Sequence, residues 1–141
     1  MTTVATDTKN SQDTLPGKRI AIVEDEGLTQ MQLQTILKRA GLVVVGGAAN
    51  GLAGVDLVLR ERPEIVLIDI KMSLMNGLEA AERILASCSV CVIMLTAYSE
   101  DAYRRRAAAL GVSGFVNKPI SSETLLPQLR AALDAYEHGG R

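Results

Sequence analysis

Along the chain, short apolar runs alternate with longer segments in which apolar residues recur every three or four positions. The runs "RIAIVE" (19–24), "LVVVGGAA" (42–49), "EIVLID" (64–69), "VCVIMLTA" (90–97) and "SGFVNK" (113–118) have strand length. The segments "GLTQMQLQTILKRAG" (27–41), "GLAGVDLVLRER" (51–62), "GLEAAERILAS" (77–87), "SEDAYRRRAAALG" (99–111) and "SSETLLPQLRAALDAYE" (121–137) read as helices. In the first of these, Leu28, Met31, Leu33, Ile36 and Leu37 carry the helical spacing, and Gly41 is the stop. Pro63 ends the second, Ser99 caps the fourth, Gly111 stops it, and Ser121 or Ser122 caps the fifth.

Five β–α units in series, without a long gap, predict an α/β fold: a parallel sheet with right-handed crossovers, covered on both faces. Ligands of such sheets bind beyond the carboxyl ends of the strands. The first strand ends in Glu24, Asp25 and Glu26, the third in Asp69, the fourth in Thr96 and Ala97, and the fifth in Lys118 and Pro119. One polar residue at a strand end is commonplace, but reactive groups at four ends of one edge form a constellation. Crowded carboxylates repel, and a hard divalent cation such as magnesium, which takes oxygen ligands, relieves that repulsion. Lys118 offers a positive charge to an anion and Thr96 a hydroxyl. Asp69 can then act as a nucleophile toward phosphorus, which explains why a buried-looking strand ends on a lone acid.

The chain has 141 residues, 48% of them hydrophobic, and a formal net charge of −1, which fits one globular domain and argues against dominant attraction to nucleic acid or an anionic membrane. There is no Trp and one Phe, so little aromatic surface is available for stacking bases. No apolar run reaches membrane-spanning length and no signal peptide opens the sequence, so a cytoplasmic protein is expected. The polar residues 1–17 are expected to be a flexible tail, 18–137 the domain, and 138–141 a second tail holding the single His138. The pair "CSVC", Cys88 and Cys91, has the spacing of a redox pair or half a zinc site. It sits at the start of an apolar strand rather than a helix, and further zinc ligands are missing, so both cysteines are read as small packing residues.

The motifs "IVEDE", "VLIDIKMSLMNG", "IMLTAYS" and "GFVNKPI", in this order and at these strand ends, resemble the receiver domain of two-component response regulators, in a chemotaxis-regulator-like single-domain form, over about residues 18–136. The resemblance implies a flavodoxin-like, doubly wound (βα)5 sandwich with strand order 2-1-3-4-5. It implies that Asp69 accepts a phosphoryl group. The metal, Mg2+ with Mn2+ able to substitute, would be held by Glu24, Asp25, Asp69 and the backbone carbonyl of Lys71. Thr96 would be the switch hydroxyl, Lys118 the invariant lysine and Phe115 the switch aromatic. The peptide Lys118–Pro119 would be cis. Lys71 and Tyr98, each two residues after a site residue, would tune hydrolysis of the phosphoryl group.

Departures from the family pattern include Ser73 where Pro is usual, Glu24 for the more frequent Asp, and Phe115 without the hydroxyl of a Tyr. Arg104, Arg105 and Arg106 fall on the fourth helix, part of the family's output face, and read either as a solvated helix face or as a partner-docking patch. Met72, Leu74 and Met75 read as packing or as part of a docking surface. The expected partners are a histidine kinase or histidine phosphotransfer protein and an output protein. Neither DNA nor membrane binding is expected, and the chain would be a monomer or a phosphorylation-dependent homodimer. Only a few residues follow the last helix, so output is expected through protein contacts rather than a DNA-binding domain. The segments "EDEGLTQMQL" and "LTAYSED" are also similar to the receivers of antiterminator regulators, which would make the chain a fragment of an RNA-binding protein. A phosphorylation-independent binding module is a further alternative. A phosphatase with an aspartyl nucleophile is disfavoured, because Lys71 stands where a second acid would serve, so the chain is expected not to be an enzyme beyond its own phosphoryl transfer and dephosphorylation.

Overall fold

A computed structural model describes residues 14–72, 75–97 and 101–139, apart from the side chain of Asp101. Five strands alternate with five helices: β1 (Arg19–Val23), α1 (Gly27–Arg39), β2 (Val43–Ala48), α2 (Gly51–Glu61), β3 (Ile65–Asp69), α3 (Gly77–Ser87), β4 (Cys91–Thr96), α4 (Asp101–Leu110), β5 (Gly114–Asn117) and α5 (Ser122–His138). All the strands pair in parallel, in the order β2-β1-β3-β4-β5, so the expected doubly wound sheet is the one found.

The central strands β3 and β4 are buried along their whole length, which is why they read as unbroken apolar runs. Their side chains alternate between two cores. Val66, Ile68, Val92 and Met94 face α2, α3 and α4, while Ile65, Leu67, Ile93 and Leu95 face α1 and α5. Asn50, Asn76 and Ser121 cap α2, α3 and α5, each accepting from a backbone N–H three residues on, at 2.8, 2.9 and 3.3 Å. Gly111 stops α4 with φ of 101°, a left-handed conformation that costs glycine little.

The sequence pattern misplaced some residues. Leu28 and Met31 are 71% and 66% exposed, and the face of α1 against the sheet is built from Leu33 and Leu37. At 100° per residue, Met31 lies about 160° around the helix from Leu33, so an apolar residue two positions away belongs to the opposite side. Leu15, expected in the flexible tail, is fully buried in the core beside α1 and α5. The Lys18 N–H donates to its carbonyl at 3.0 Å, and the Gly17 N–H to Gly41 O at 2.8 Å. His138 is the last residue of α5 rather than the start of a tail, its Nδ1 2.9 Å from Asp134 Oδ1 one turn back. Ser73, Leu74, Tyr98 and the proposed cap Ser99 lie outside the described residues.

Strand order reverses between β1 and β3: the chain leaves β1 toward α1 on one face and leaves β3 toward α3 on the other. The two departing loops open a crevice at the carboxyl ends of this strand pair.

Candidate functional site

Glu24 and Asp69 stand side by side in that crevice, because Val23 of β1 pairs with Ile68 of β3 and each acid follows directly. They are 1% and 3% exposed, whereas Asp25 faces solvent. One carboxylate oxygen from each of Glu24, Asp25 and Asp69 lies within 4.8 Å of the others. Lys118 Nζ, from the loop after β5, is 3.2 Å from Asp69 Oδ2, and the Lys71 N–H donates to Asp69 Oδ1 at 3.3 Å. Thr96 ends β4 next to Asp69, fully buried, its hydroxyl donating to Ala97 O at 3.2 Å. The Lys118 N–H donates to Thr96 O at 2.8 Å, which carries β5 into the same edge. The Lys118–Pro119 peptide is cis.

The electrostatics follow from crowding acids out of water. Burial pushes the Glu24 carboxyl up from the ordinary 4.5 to about 7; the hydrogen bond from Glu26 N–H, 3.0 Å from Oε2, works against this, and the charge of Asp69 adds to it. Burial also raises Asp69, opposed by the charge of Lys118 and by the hydrogen bonds it accepts. Glu24 Oε1 is buried with no hydrogen-bond partner among the described residues. In the ionised carboxylate that oxygen can only accept, and left buried without a donor it is costly. Together with an all-oxygen donor set beside it, the orphan fits a hard divalent cation.

The residues read as an output face separate into two groups. Phe115 is half-buried in β5, with the Arg104 guanidinium 4.6 Å from its ring centroid. Arg104 Nη1 also donates to Asn117 Oδ1 at 3.1 Å, so Arg104 is neither a solvated charge nor a free docking group. Arg105 and Arg106 are exposed. Met75 is buried and Met72 half-buried against the α2–α3–α4 core, as packing residues. Cys88 and Cys91 face opposite cores as free thiols, and burial pushes the Cys91 thiol up to about 11.

Some supporting residues escaped the sequence reading. Gln30 Nε2 donates to Glu24 O at 3.0 Å and Ala48 O at 3.2 Å, tying α1 to the ends of β1 and β2. Its amide fills the space a side chain at Gly47 would take, so the one legible signal was the Gly46–Gly47 pair that breaks a run of three valines. Gly77 opens α3 with its N–H donating to Ile70 O at 2.9 Å. A Cβ there would collide with the carbonyl oxygen of Asp69.

Known proteins resemble this chain in sequence and in fold. The family model for the response regulator receiver domain matches residues 20–130. The chain is 32% identical over 119 residues to the transcriptional regulatory protein PdtaR of Mycobacterium tuberculosis, covering 84% of this chain and 58% of that protein. It is 32% identical over 114 residues to the chemotaxis protein CheY of Thermotoga maritima, covering 80% and 95%. The chain thus spans little more than half of the first relative and nearly all of the second. Among solved structures, it matches the signal receiver domain of a modulated diguanylate cyclase from Desulfovibrio desulfuricans G20 with a TM-score of 0.79 and 28% identity, over 88% of this chain and 99% of that one. The response regulator domain of Thermotoga maritima CheB matches with a TM-score of 0.75 and 28% identity, over 85% and 96%. Among the described residues, no helix is long and apolar enough to cross a membrane.

Proposed function

The chain belongs to the response regulator receiver family, and from that premise we propose that it is a phosphoacceptor switch in a two-component phosphorelay, with Asp69 as the acceptor. The observation that carries the reading is the Lys118 ammonium 3.2 Å from Asp69 Oδ2, at the rigid tip of a central strand. An Asp69 oxygen attacks the phosphorus of a phosphohistidine; the O–P bond forms, the P–N bond breaks, and the imidazole leaves with a proton from water. Lys118 offsets charge on the transferring group, and the Lys71 N–H orients the attacking carboxylate. Glu24, Asp25, Asp69 and the Lys71 carbonyl would hold Mg2+, which when bound neutralises negative charge on the carboxylates and phosphoryl oxygens. Thr96, at the adjacent strand end, receives the new charge through its hydroxyl, and Phe115 transmits it toward α4 and α5.

The donor is a histidine kinase or phosphotransfer protein, and the output is a protein contact on the face that includes α4. Tyr98 slows hydrolysis by excluding water, so Tyr98→Ala shortens the phosphoryl lifetime; equal dephosphorylation rates for the two proteins would remove that role. The reading itself is tested by intact mass after incubation with acetyl phosphate. One magnesium-dependent phosphoryl adduct, lost in Asp69→Asn, is expected. An adduct that persists in Asp69→Asn, or no adduct under any condition, overturns it.

A further inference from the structure

Arg104 stacks on Phe115 and bonds to Asn117 at the same time, which a planar guanidinium can do and an ammonium cannot match. Phe115 and Asn117 are two residues apart in β5, so the pleat sends both side chains to one face. The Asn117 N–H donates to Gln128 Oε1 on α5 at 3.0 Å. One guanidinium and one asparagine therefore join α4, β5 and α5.

The same part of β5 leads into the acid crevice. Asn117 pairs with Thr96 in the sheet, and the next residue, Lys118, reaches Asp69. From Asp69 to Arg104 the route is an ion pair to Lys118, a single peptide step to Asn117, and a hydrogen bond of 3.1 Å. A pull on Lys118 from charge gained at Asp69 acts on the residue whose side chain holds the guanidinium.

We propose that Arg104 is a positioning residue that couples Asp69 to helix α4: its clasp on Phe115 and Asn117 holds α4 against β5 in the unmodified chain, and charge gained at Asp69 shifts the balance away from the clasp. This rests on the phosphoacceptor reading above. Loosening the clasp raises the share of the unmodified chain already in the unclasped arrangement that modification favours, and phosphorylation speeds up with that share.

Phe115 is the single phenylalanine of the chain, so incorporation of para-fluorophenylalanine yields one fluorine resonance that reports this ring alone. The resonance is recorded for native protein, Arg104→Ala, Arg104→Lys and Asn117→Ala, before and after acetyl phosphate with Mg2+, with intact mass giving the extent of modification. In native protein the resonance moves on modification. In Arg104→Ala it starts displaced toward the modified position, and phosphorylation is about two- to five-fold faster, the effect of losing one partly exposed cation–π contact. Arg104→Lys, which keeps the charge, falls between the two, and Asn117→Ala shifts the same way by less. If Arg104→Ala fails to fold, the other two variants carry the same comparison. An adduct on native protein with an unmoved ring resonance, or variants phosphorylated at the native rate, overturns the coupling alone. A native chain that takes no phosphoryl group overturns the phosphoacceptor reading, and the coupling falls with it.

Discussion

Asp69 and Cys91 stand at opposite edges of one pair of neighbouring strands, as the last residue of β3 and the first of β4. Both are buried, and burial pushes both upward, the carboxyl above its ordinary value and the thiol to about 11. Their surroundings part there. Asp69 has an ammonium at 3.2 Å, a backbone donor at 3.3 Å and a second carboxylate beside it, while the Cys91 sulfur lies 3.8 Å from the carbonyl of Ala132 amid apolar side chains. Burial makes a group costly to ionise, and only partners placed around it make it reactive. The carboxyl edge can gather those partners because loops from four strands meet there.

The strongest way to break this contrast is to strip Asp69 of its cation. Lys118→Met leaves burial unopposed by that charge, so the Asp69 carboxyl rises further and phosphorylation from acetyl phosphate slows by about 10²–10³-fold. A mass time course within about tenfold of native would show that the ammonium is not what distinguishes the two edges. The second comparison concerns Cys91 itself. With its thiol near 11, Cys91 holds about two orders of magnitude less thiolate at pH 8 than an ordinary thiol. Iodoacetamide should therefore add one group promptly, on Cys88, and a second only on unfolding; two fast additions would remove the inert edge from the comparison.

Glu24 gives a smaller effect with a definite sign. In metal-free protein, the folded state holds a proton on Glu24 between the ordinary 4.5 and about 7 that the unfolded state has released, so its contribution to stability falls as pH rises through that window. Metal must displace the same proton. Calorimetric Mg2+ affinity should rise about tenfold per pH unit below 7 and level above it, and Glu24→Gln should bind weakly with that slope flattened. A native affinity independent of pH between 5.5 and 8 would contradict the assignment. The smallest effect is expected from Cys91→Ala, which removes a sulfur from a packed core at a cost of about 1 kcal/mol and leaves the phosphorylation rate unchanged. A change in that rate would mean that the amino edge reaches the chemistry after all.

The strand ends were legible because acids, Thr and Lys interrupt apolar runs at one repeated place, and the limits of α3 coincide with its segment because Asn76 caps it and the apolar period stops at Ser87. Leu28 and Met31 were misread because spacing counts positions while burial depends on angle, and they lie about 140° and 160° around the helix from Leu33. Leu15 was hidden by its polar neighbours. Arg104 looked like its two companions in a basic run, and its stacking depends on a ring in β5 that only the fold brings near. Gln30 carries no reactive group, so its support of the Glu24 loop was visible only once β1 and β2 lay side by side.

Gly77 gives the site a limit of a different kind. The nucleophilic strand tip is held where the first residue of α3 touches it, and that residue contributes no side chain at all. A methyl group there would act as a wedge, tilting the carboxylate relative to Lys118 while leaving every reactive group in place. Tolerance to substitution around this chemistry should thus be low even at a position that takes no part in it, and a library screened only at the acids and the lysine would miss the residue that sets their alignment.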